Sequence, residues 1–366
     1  MARPSLIDVD LDAIRHNLAA IRDLVAPARV CVVVKADGYG HGAAEVAAVA
    51  QETGDTWLAV ALAAEGAELR AAGITAPILL LSEPTAAELA VAADAELTPT
   101  LYSVEGIDTA AGLRPGWAVH LKVDTGMHRV GARPDDAVEL ASRLLDAGLV
   151  LGGTFTHLAV ADVPERPEND LQLGRFTEVL EALAAAGVDP GLRHAANSAA
   201  ALHLPHARYD LVRVGIAAYG VAPAADVASP VALRSSLRLR SRVSFVNEVA
   251  AGEGVSYGWH HRLDEAATLA VVPVGYADGV PRNLGLTGGE VLIGGIRRPM
   301  RGVVTMDQLM VDITGDEGVA VGDEVVLLGP QGDDEITPVE WAQRVGTIPY
   351  EVLVGFGARV RRTYPG

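Results

Sequence analysis

Cysteine is almost absent from this chain: of 366 residues, only Cys31 carries a thiol. An internal disulfide is therefore excluded, as is any zinc or iron–sulfur centre built on several cysteines. A lone thiol, read as a small apolar filler of a strand, fits a reducing compartment. Aromatic residues make up 4% of the sequence, too few for a platform on which nucleic-acid bases stack. Positive charge is the scarce sign, with 29 Lys and Arg against 47 Asp and Glu and a net charge of −18. Phosphate backbones and anionic lipid repel such a molecule as a whole. Neither nucleic acid nor a membrane is an expected partner. Long apolar runs are also missing. The longest uncharged one, Val214–Ala225, is interrupted by Gly and Pro and is too short to cross a bilayer. Asp8, Asp10 and Asp12 break the N-terminus where a signal peptide needs an apolar stretch. A cytoplasmic protein is the expectation. His203 and His206 stand at i, i+3, and His260 and His261 are adjacent. No further ligands accompany either pair, so no metal is expected.

What is present is a long, aliphatic chain. Half of the residues are apolar, and the length fits two domains or one large barrel with an addition. Eight short β-branched or apolar runs punctuate the first two-thirds: Val30–Val34, Trp57–Val60, Ile78–Leu81, Leu97–Thr100, Val119–Val123, Leu151–Phe155, Leu192–Ala195 and Leu211–Val214. Ala-rich segments of helical period lie between them, such as Ala61–Ala72 and Asn169–Ala186. Near-continuous apolar strands separated by helices imply a parallel sheet covered on both faces. Eight such units predict an α/β fold, a (β/α)8 barrel; a doubly wound open sheet is the alternative. Near Ser235 the pattern changes. Leu237, Leu239 and Val243 alternate with Arg238, Arg240 and Arg242, the period of a half-buried antiparallel strand. Further short runs follow at Thr268–Val274, Glu290–Ile293, Val303–Thr305, Leu309–Ile313 and Glu324–Leu328. The reading is a barrel over residues 1–233 and a mainly antiparallel β domain over 234–366, with Val221–Pro230 as the linker.

In a barrel of this kind, chemistry sits just after the strands. Lys35 follows the first run, with Gly38-Tyr39-Gly40-His41-Gly42 after it. Asp124 to Arg129 follow the fifth, His157 the sixth, Asn197 and Ser198 the seventh, and Arg213, Gly215 and Ile216 close the eighth. An ammonium at an apolar barrel mouth loses solvation, so the Lys35 pKa should fall and free a nucleophilic amine. Gly215-Ile216 and Asn197-Ser198 offer N–H and hydroxyl groups to a phosphate. Taken one at a time, each has a plain structural reading: a surface lysine, an ordinary loop, a paired arginine, a hydrogen-bonded core histidine.

Taken together and in order, the segments VVVKADGYGHG, LKVDTGMHRVG, FTHLAVAD, HAANSAA, VRVGIAAYG, GVSYGW, VGYADGVPR, TMDQLMVDI and TIPYEV resemble the alanine racemases dependent on pyridoxal 5′-phosphate. The resemblance runs through essentially the whole chain and implies the same barrel and β domain. It implies that Lys35 carries the cofactor and acts as one proton-transfer base, with Tyr257 of the partner subunit as the opposite base in a homodimer with shared sites. A tyrosine is a poor base at its ordinary pKa of about 10, and His157 and Arg213 are implied as its support. Arg213 would also face the cofactor's ring nitrogen. Tyr39, Asn197, Ser198, Gly215, Ile216 and Tyr350 are implied for cofactor binding, and Arg129 for the cofactor's phenolic oxygen. Arg129, Met306, Asp307 and Tyr276 are implied at the substrate, which is alanine. Lys122 matches a lysine that some members carbamylate. Three positions depart from the pattern: Thr305 stands where cysteine is usual, His128 where glycine is common, and ARVRRTYPG reads R-V-R-R where the family's R-V-P-R tetrad has proline. Thr305 and His128 make another small amino acid, such as serine, the alternative substrate. A cofactor-binding regulatory protein or a decarboxylase fits less well, because of GVSYGW.

Overall fold

The structure, a computed structural model, describes residues 4–54, 56–223, 227–316 and 318–365. The chain divides into two compact units. One is Asp12–Arg234. The other joins the residues up to Leu11 with those from Ser235 onward.

In the first unit each of the eight apolar runs carries a strand. They are Arg29–Val33, Thr56–Val60, Ile78–Leu80, Thr100–Leu101, Ala118–Lys122, Val150–Phe155, Leu192–His194 and Leu211–Val214. All ladders are parallel, in two sets of four. Backbone bonds join the sets. Leu80 N–H donates to Thr98 O at 2.9 Å, and Arg213 N–H donates to Ala196 O at 2.9 Å. The sheet therefore closes into the (β/α)8 barrel rather than lying open. The strands bury both faces because helices cover the outside. Helix Leu11–Val25 shows how: Ile14, Leu18, Ile21 and Val25, three to four residues apart, are all at most 1% exposed. Each such side chain contributes about 1.5–3 kcal/mol. Local signals set the helix starts. The Thr85 hydroxyl accepts from Glu88 N–H, whose carboxylate reaches back to Thr85 N–H at 3.1 Å, which closes a capping box. Pro134 opens a 3₁₀ turn that runs into helix Ala137–Asp146.

The second unit is mainly antiparallel. Its large sheet runs in the order Ile296–Pro299, Glu290–Ile293, Glu324–Gln331, Leu237–Arg242, Leu6–Val9, Arg361–Thr363. A three-stranded sheet comprises Phe245–Val249, Ala267–Val272 and Leu309–Asp312.

Two expectations are corrected here. The first residues do not belong to the barrel. Leu6–Val9 alternates, with Ile7 and Val9 fully buried, and pairs antiparallel with Leu237–Arg242 and parallel with Arg361–Thr363. On the other face Asp8 meets Arg240 at 2.5 Å and Arg238 at 3.7 Å, so the arginines of the alternating strand find their partner 230 residues away in sequence (roughly, by this pairing). Second, Val303–Thr305 is no strand. Val304 N–H donates to Arg282 O at 3.1 Å, and Thr305 closes a turn with Gln308, so the segment joins no ladder. Helices Pro338–Val345 and Pro349–Val354 also interrupt the β pattern. Of the expected linker, residues 224–226 lie outside the described residues.

Candidate active site

Lys35 stands where the first barrel strand ends, and the chain then makes a left-handed turn. Ala36, Asp37, Gly38 and Tyr39 have φ of 53°, 53°, 60° and 54°. That conformation costs about 1–2 kcal/mol for each residue with a Cβ, so it persists only where the surroundings hold it. Ala36 N–H donates to Glu65 Oε1 at 2.7 Å, and Ala43 N–H to Asp37 Oδ1 at 3.0 Å. The Tyr39 ring stacks on Tyr219 at 5.0 Å, and the Tyr219 hydroxyl donates to Val33 O at 2.9 Å. Burial lowers the Lys35 pKa, the Arg129 charge lowers it further, and Glu65 opposes both. The amine is thus shifted towards its nucleophilic form.

The same few cations govern their neighbours. Lys122, only 5% exposed, is pushed down to about 8 by burial and then by Arg213 and Arg129, with Asp124 opposing. His157 is held well below 6.5 by burial, then by Arg213, Lys122, Arg129 and Lys35. The structure therefore brings Lys35, Lys122, Arg129, His157 and Arg213 to one rim of the barrel. The Phe155 ring lies under two of the cations, 5.1 Å from the Arg213 guanidinium carbon and 5.6 Å from Lys122 Nζ. The Asp124 carboxylate accepts from Gly126 and His128 N–H, each at 3.0 Å, and so ties down the loop that carries Arg129. His128 is exposed, with φ of 54°.

Arg213 is the most connected of these groups. It is 3% exposed. Its NH2 group donates to Thr156 O at 2.7 Å, Ala195 O at 2.9 Å and His157 Nδ1 at 3.2 Å. NH1 donates to His194 Nδ1 at 2.8 Å. Burial pulls its pKa to about 10, so it stays charged at neutral pH. Behind it His194 stacks on Phe155 at 4.5 Å and meets His120 at 3.0 Å. Cys31 lies opposite Arg213 in the ladder, fully buried, its thiol pushed up to about 12; it is inert at neutral pH.

Hydroxyls gather across the rim. Ser198 Oγ accepts from Gly215 N–H at 2.9 Å. A Cβ at Gly215 would collide with the Tyr39 hydroxyl, so the bare glycine leaves the space that the hydroxyl fills. Ile216 follows, fully buried. The Asn197 side chain caps helix Ser198–His203 by accepting from Ala200 N–H at 3.0 Å. Pyridoxal 5′-phosphate requires an accessible amine, a phosphate seat and a partner for its ring nitrogen. Lys35 with its lowered pKa, the Tyr39–Ser198–Gly215 cradle and the donor-only Arg213 fit those three needs.

The remaining expected residues lie in the β unit. Tyr257 begins a 3₁₀ turn, is 72% exposed, and sits between Ser256 and Gly258, both at positive φ. Ser256 Oγ donates to Val303 O at 2.6 Å, which fastens this turn to the segment leading to Met306 and Asp307. Tyr276 N–H donates to Thr305 O at 3.0 Å and Ala277 N–H to Met306 O at 3.1 Å. Tyr257, Tyr276, Met306 and Asp307 are thereby tied to one stretch of chain. The Thr305 hydroxyl donates to Gln308 O at 2.8 Å, so it is engaged within its own turn. Arg359 pairs with buried Asp278 at 3.4 Å and bonds Asp307 at 2.6 Å. Tyr350 lies in helix Pro349–Val354, half-buried.

Sequence reasoning passed over Glu65, Tyr219 and His120. In Ala118–Lys122, His120 stands two residues before Lys122, hence on the same strand face, but that spacing alone does not mark it out. Among the described residues, no group of three His, Cys, Asp or Glu could hold a metal, and no helix is long and apolar enough to cross a membrane.

Two family models match the chain: alanine racemase, N-terminal domain, over residues 9–223, and alanine racemase, C-terminal domain, over residues 236–364. An alanine racemase of Symbiobacterium thermophilum is 46% identical over 100% of this chain and 98% of its own length. One of Thermobifida fusca is 44% identical over 98% of this chain and 97% of its own. Among solved structures, the alanine racemase of D-cycloserine-producing Streptomyces lavendulae aligns at a TM-score of 0.93 and 38% identity, over 100% of this chain and 98% of that one. That of E. faecalis aligns at 0.93 and 36% identity over 100% of both.

Proposed function

The chain belongs to the alanine racemase family, and on that premise we propose that it interconverts L- and D-alanine with pyridoxal 5′-phosphate, using a base on each face of the substrate carbon. The observation that carries the reading is the cationic rim: Lys35, Lys122, Arg129 and Arg213 converge in a chain of net charge −18. Such a rim attracts an anionic cofactor and a carboxylate substrate.

Bound there, the cofactor supplies an electron sink that makes the proton on the substrate carbon removable. The protein residues do the rest. Lys35 holds the cofactor and moves the proton on one face. Tyr257 of the partner subunit moves it on the other, which fits a side chain left 72% exposed on its own subunit; the working unit is then a homodimer. Removal on one face and return on the other inverts the carbon directly. His157 and Arg213 support the tyrosine, and Arg213 faces the ring nitrogen. A charged donor there disfavours ring protonation and so limits the sink, which restrains side reactions. Tyr39, Ser198, Gly215, Ile216 and Tyr350 hold the phosphate, with Asn197 shaping their loop. Arg129 and the Met306 N–H orient the substrate carboxylate, Asp307 stands beside it, and Tyr276 lines the way in. Lys122, with a pKa of about 8, is partly neutral at pH 7–8, the form that adds carbon dioxide; as a carbamate it would orient Arg129 instead of repelling it. The buried lone Cys31 is in keeping with a cytoplasmic setting. Serine is the second substrate to consider, on the strength of Thr305 and His128.

Proton exchange tests the two-base reading. In heavy water the Tyr257→Phe variant should still exchange the α-proton of one enantiomer, through Lys35, while racemisation is lost. Exchange of both enantiomers with racemisation intact would overturn it.

A further inference from the structure

Arg213 cannot accept a hydrogen bond: all its polar hydrogens are donors. Every imidazole nitrogen in contact with it must therefore be bare. His194 touches Arg213 NH1 through Nδ1 at 2.8 Å, so its proton sits on Nε2. That Nε2 lies 3.0 Å from His120 Nδ1. His120 Nδ1 must accept, and the His120 proton is left on its own Nε2. The reverse order would place His194 Nδ1–H against the guanidinium, donor against donor. A proton on both nitrogens of either ring would place a further buried cation beside Arg213 and Lys122, and His120 and His194 are 0% exposed. Only one proton order survives. It leaves His120 Nε2–H buried with no hydrogen-bond partner among the described residues; the ring itself lies 5.4 Å, centroid to centroid, from that of Trp57.

The barrel is built around this ring. The ladder between Ala118–Lys122 and Val150–Phe155 shifts register between Val119 and His120, an irregularity that re-aims a side chain. The facing strand carries Gly152 and Gly153 in its interior, where glycine ordinarily weakens a strand. A Cβ at Gly153 would lie 2.7 Å from His120 Cε1, 2.9 Å from His120 Nδ1 and 2.7 Å from Leu192 O. The register shift and the missing side chain both make room for one buried imidazole that touches neither rim nor solvent.

We infer that His120 and His194 are positioning residues for Arg213, a proton-ordered pair that fixes the plane of the guanidinium from behind. His194 holds NH1, while the Thr156 and Ala195 carbonyls and His157 hold NH2. The remaining N–H groups of Arg213 are left for the cofactor ring. The same donor-only logic sets His157: its Nδ1 faces Arg213 NH2 at 3.2 Å, so its proton is on Nε2. The inference rests on the reading that Arg213 serves the cofactor.

The test is nitrogen NMR of the dimeric enzyme labelled with ¹⁵N-histidine, with and without pyridoxal 5′-phosphate, alongside kinetics of two variants. In the wild type His194, His120 and His157 should all be neutral with the proton on Nε2. His120→Leu should keep the His194 proton on Nε2, since Arg213 NH1 still donates to Nδ1, but should shift the His194 Nε2 resonance as its acceptor is lost and lower kcat roughly tenfold or more at nearly constant KM, the size of effect seen when an outer partner of a bound group is removed. His120→Gln, whose side-chain oxygen accepts from His194 Nε2–H, should restore both. A His194 proton on Nδ1 in the wild type, or a His194 Nε2 resonance indifferent to His120→Leu, overturns the inference. A His194 that responds while kcat and the cofactor's visible spectrum do not change would instead overturn the assignment of Arg213 to the cofactor.

Discussion

Lys122 should destabilise the folded protein while it remains an unmodified amine. It is 5% exposed, faces Arg213, Arg129 and Lys35, and has only Asp124 in opposition. Its pKa falls from 10.5 to about 8. A base whose folded pKa lies below its unfolded value binds its proton less readily in the folded state. The penalty is therefore complete below about pH 8 and fades as pH rises towards 10.5. At about 1.4 kcal/mol per tenfold change, the shift corresponds to about 3 kcal/mol at pH 7 and about 1 kcal/mol at pH 10. Lys122→Met keeps most of the side-chain volume and removes the charge, so it should stabilise the protein by nearly that amount. For a unit of this size that is roughly 6–12 °C in Tm. Thermal and urea unfolding of wild type and variant, in buffers stripped of carbon dioxide at pH 7 and pH 10, measure it. Equal stability at pH 7, or a gap that does not narrow at pH 10, would refute the reasoning. Bicarbonate adds a second reading: if the amine is carbamylated, the wild type should gain stability and the variant should not respond.

Three further outcomes are expected. Lys35→Ala should lose the visible chromophore and nearly all turnover while its far-ultraviolet circular dichroism stays native; an unchanged spectrum would remove Lys35 from the site. Gly215→Ala forces a methyl into the Tyr39 hydroxyl, and cofactor affinity measured by titration should fall about tenfold or more with the fold retained, since displacement of a hydrogen-bonding group by about 1.4 kcal/mol already gives that factor; unchanged affinity would separate this cradle from the phosphate. His120, with a pKa of about 3, and His157 and His194, well below 6.5, are held neutral first by burial and then by Arg213. Unfolding releases them to bind protons, so stability should fall as pH drops below about 6.5, with a slope approaching about 4 kcal/mol per pH unit for three groups. A slope of less than one proton between pH 5 and 6 in urea unfolding would contradict it.

Much of this was legible in the sequence because barrel chemistry is ordered along the chain. A strand that ends in Lys35, or one that ends in Lys122-Val123-Asp124, announces a rim residue by the break in its apolar run. The left-handed turn after Lys35 was less visible, since of its four residues Gly38 favours positive φ and Asp37 tolerates it, while Ala36 and Tyr39 give no such signal. Ala36 and Tyr39 are held there by Glu65 and Tyr219, which are distant in sequence, and Asp37 by Ala43 N–H. Leu6–Val9 was misplaced for a similar reason: its alternation was readable, but its partners Leu237–Arg242 lie at the far end of the chain. Val303–Thr305 has strand composition, yet Val304 N–H is taken by Arg282 O and Thr305 closes a turn with Gln308, which leaves it no ladder. His120 was missed because one histidine in an apolar strand carries no motif. Its meaning lies in Gly153, His194 and Arg213, which only the closed barrel brings to it.

The central claim is that the cationic rim and its amine invert alanine. Purified protein loaded with one pyridoxal 5′-phosphate per chain, given pure L-alanine or pure D-alanine, should carry both to the same equal mixture by chiral chromatography. Cofactor demonstrably bound with each enantiomer left unchanged would contradict it.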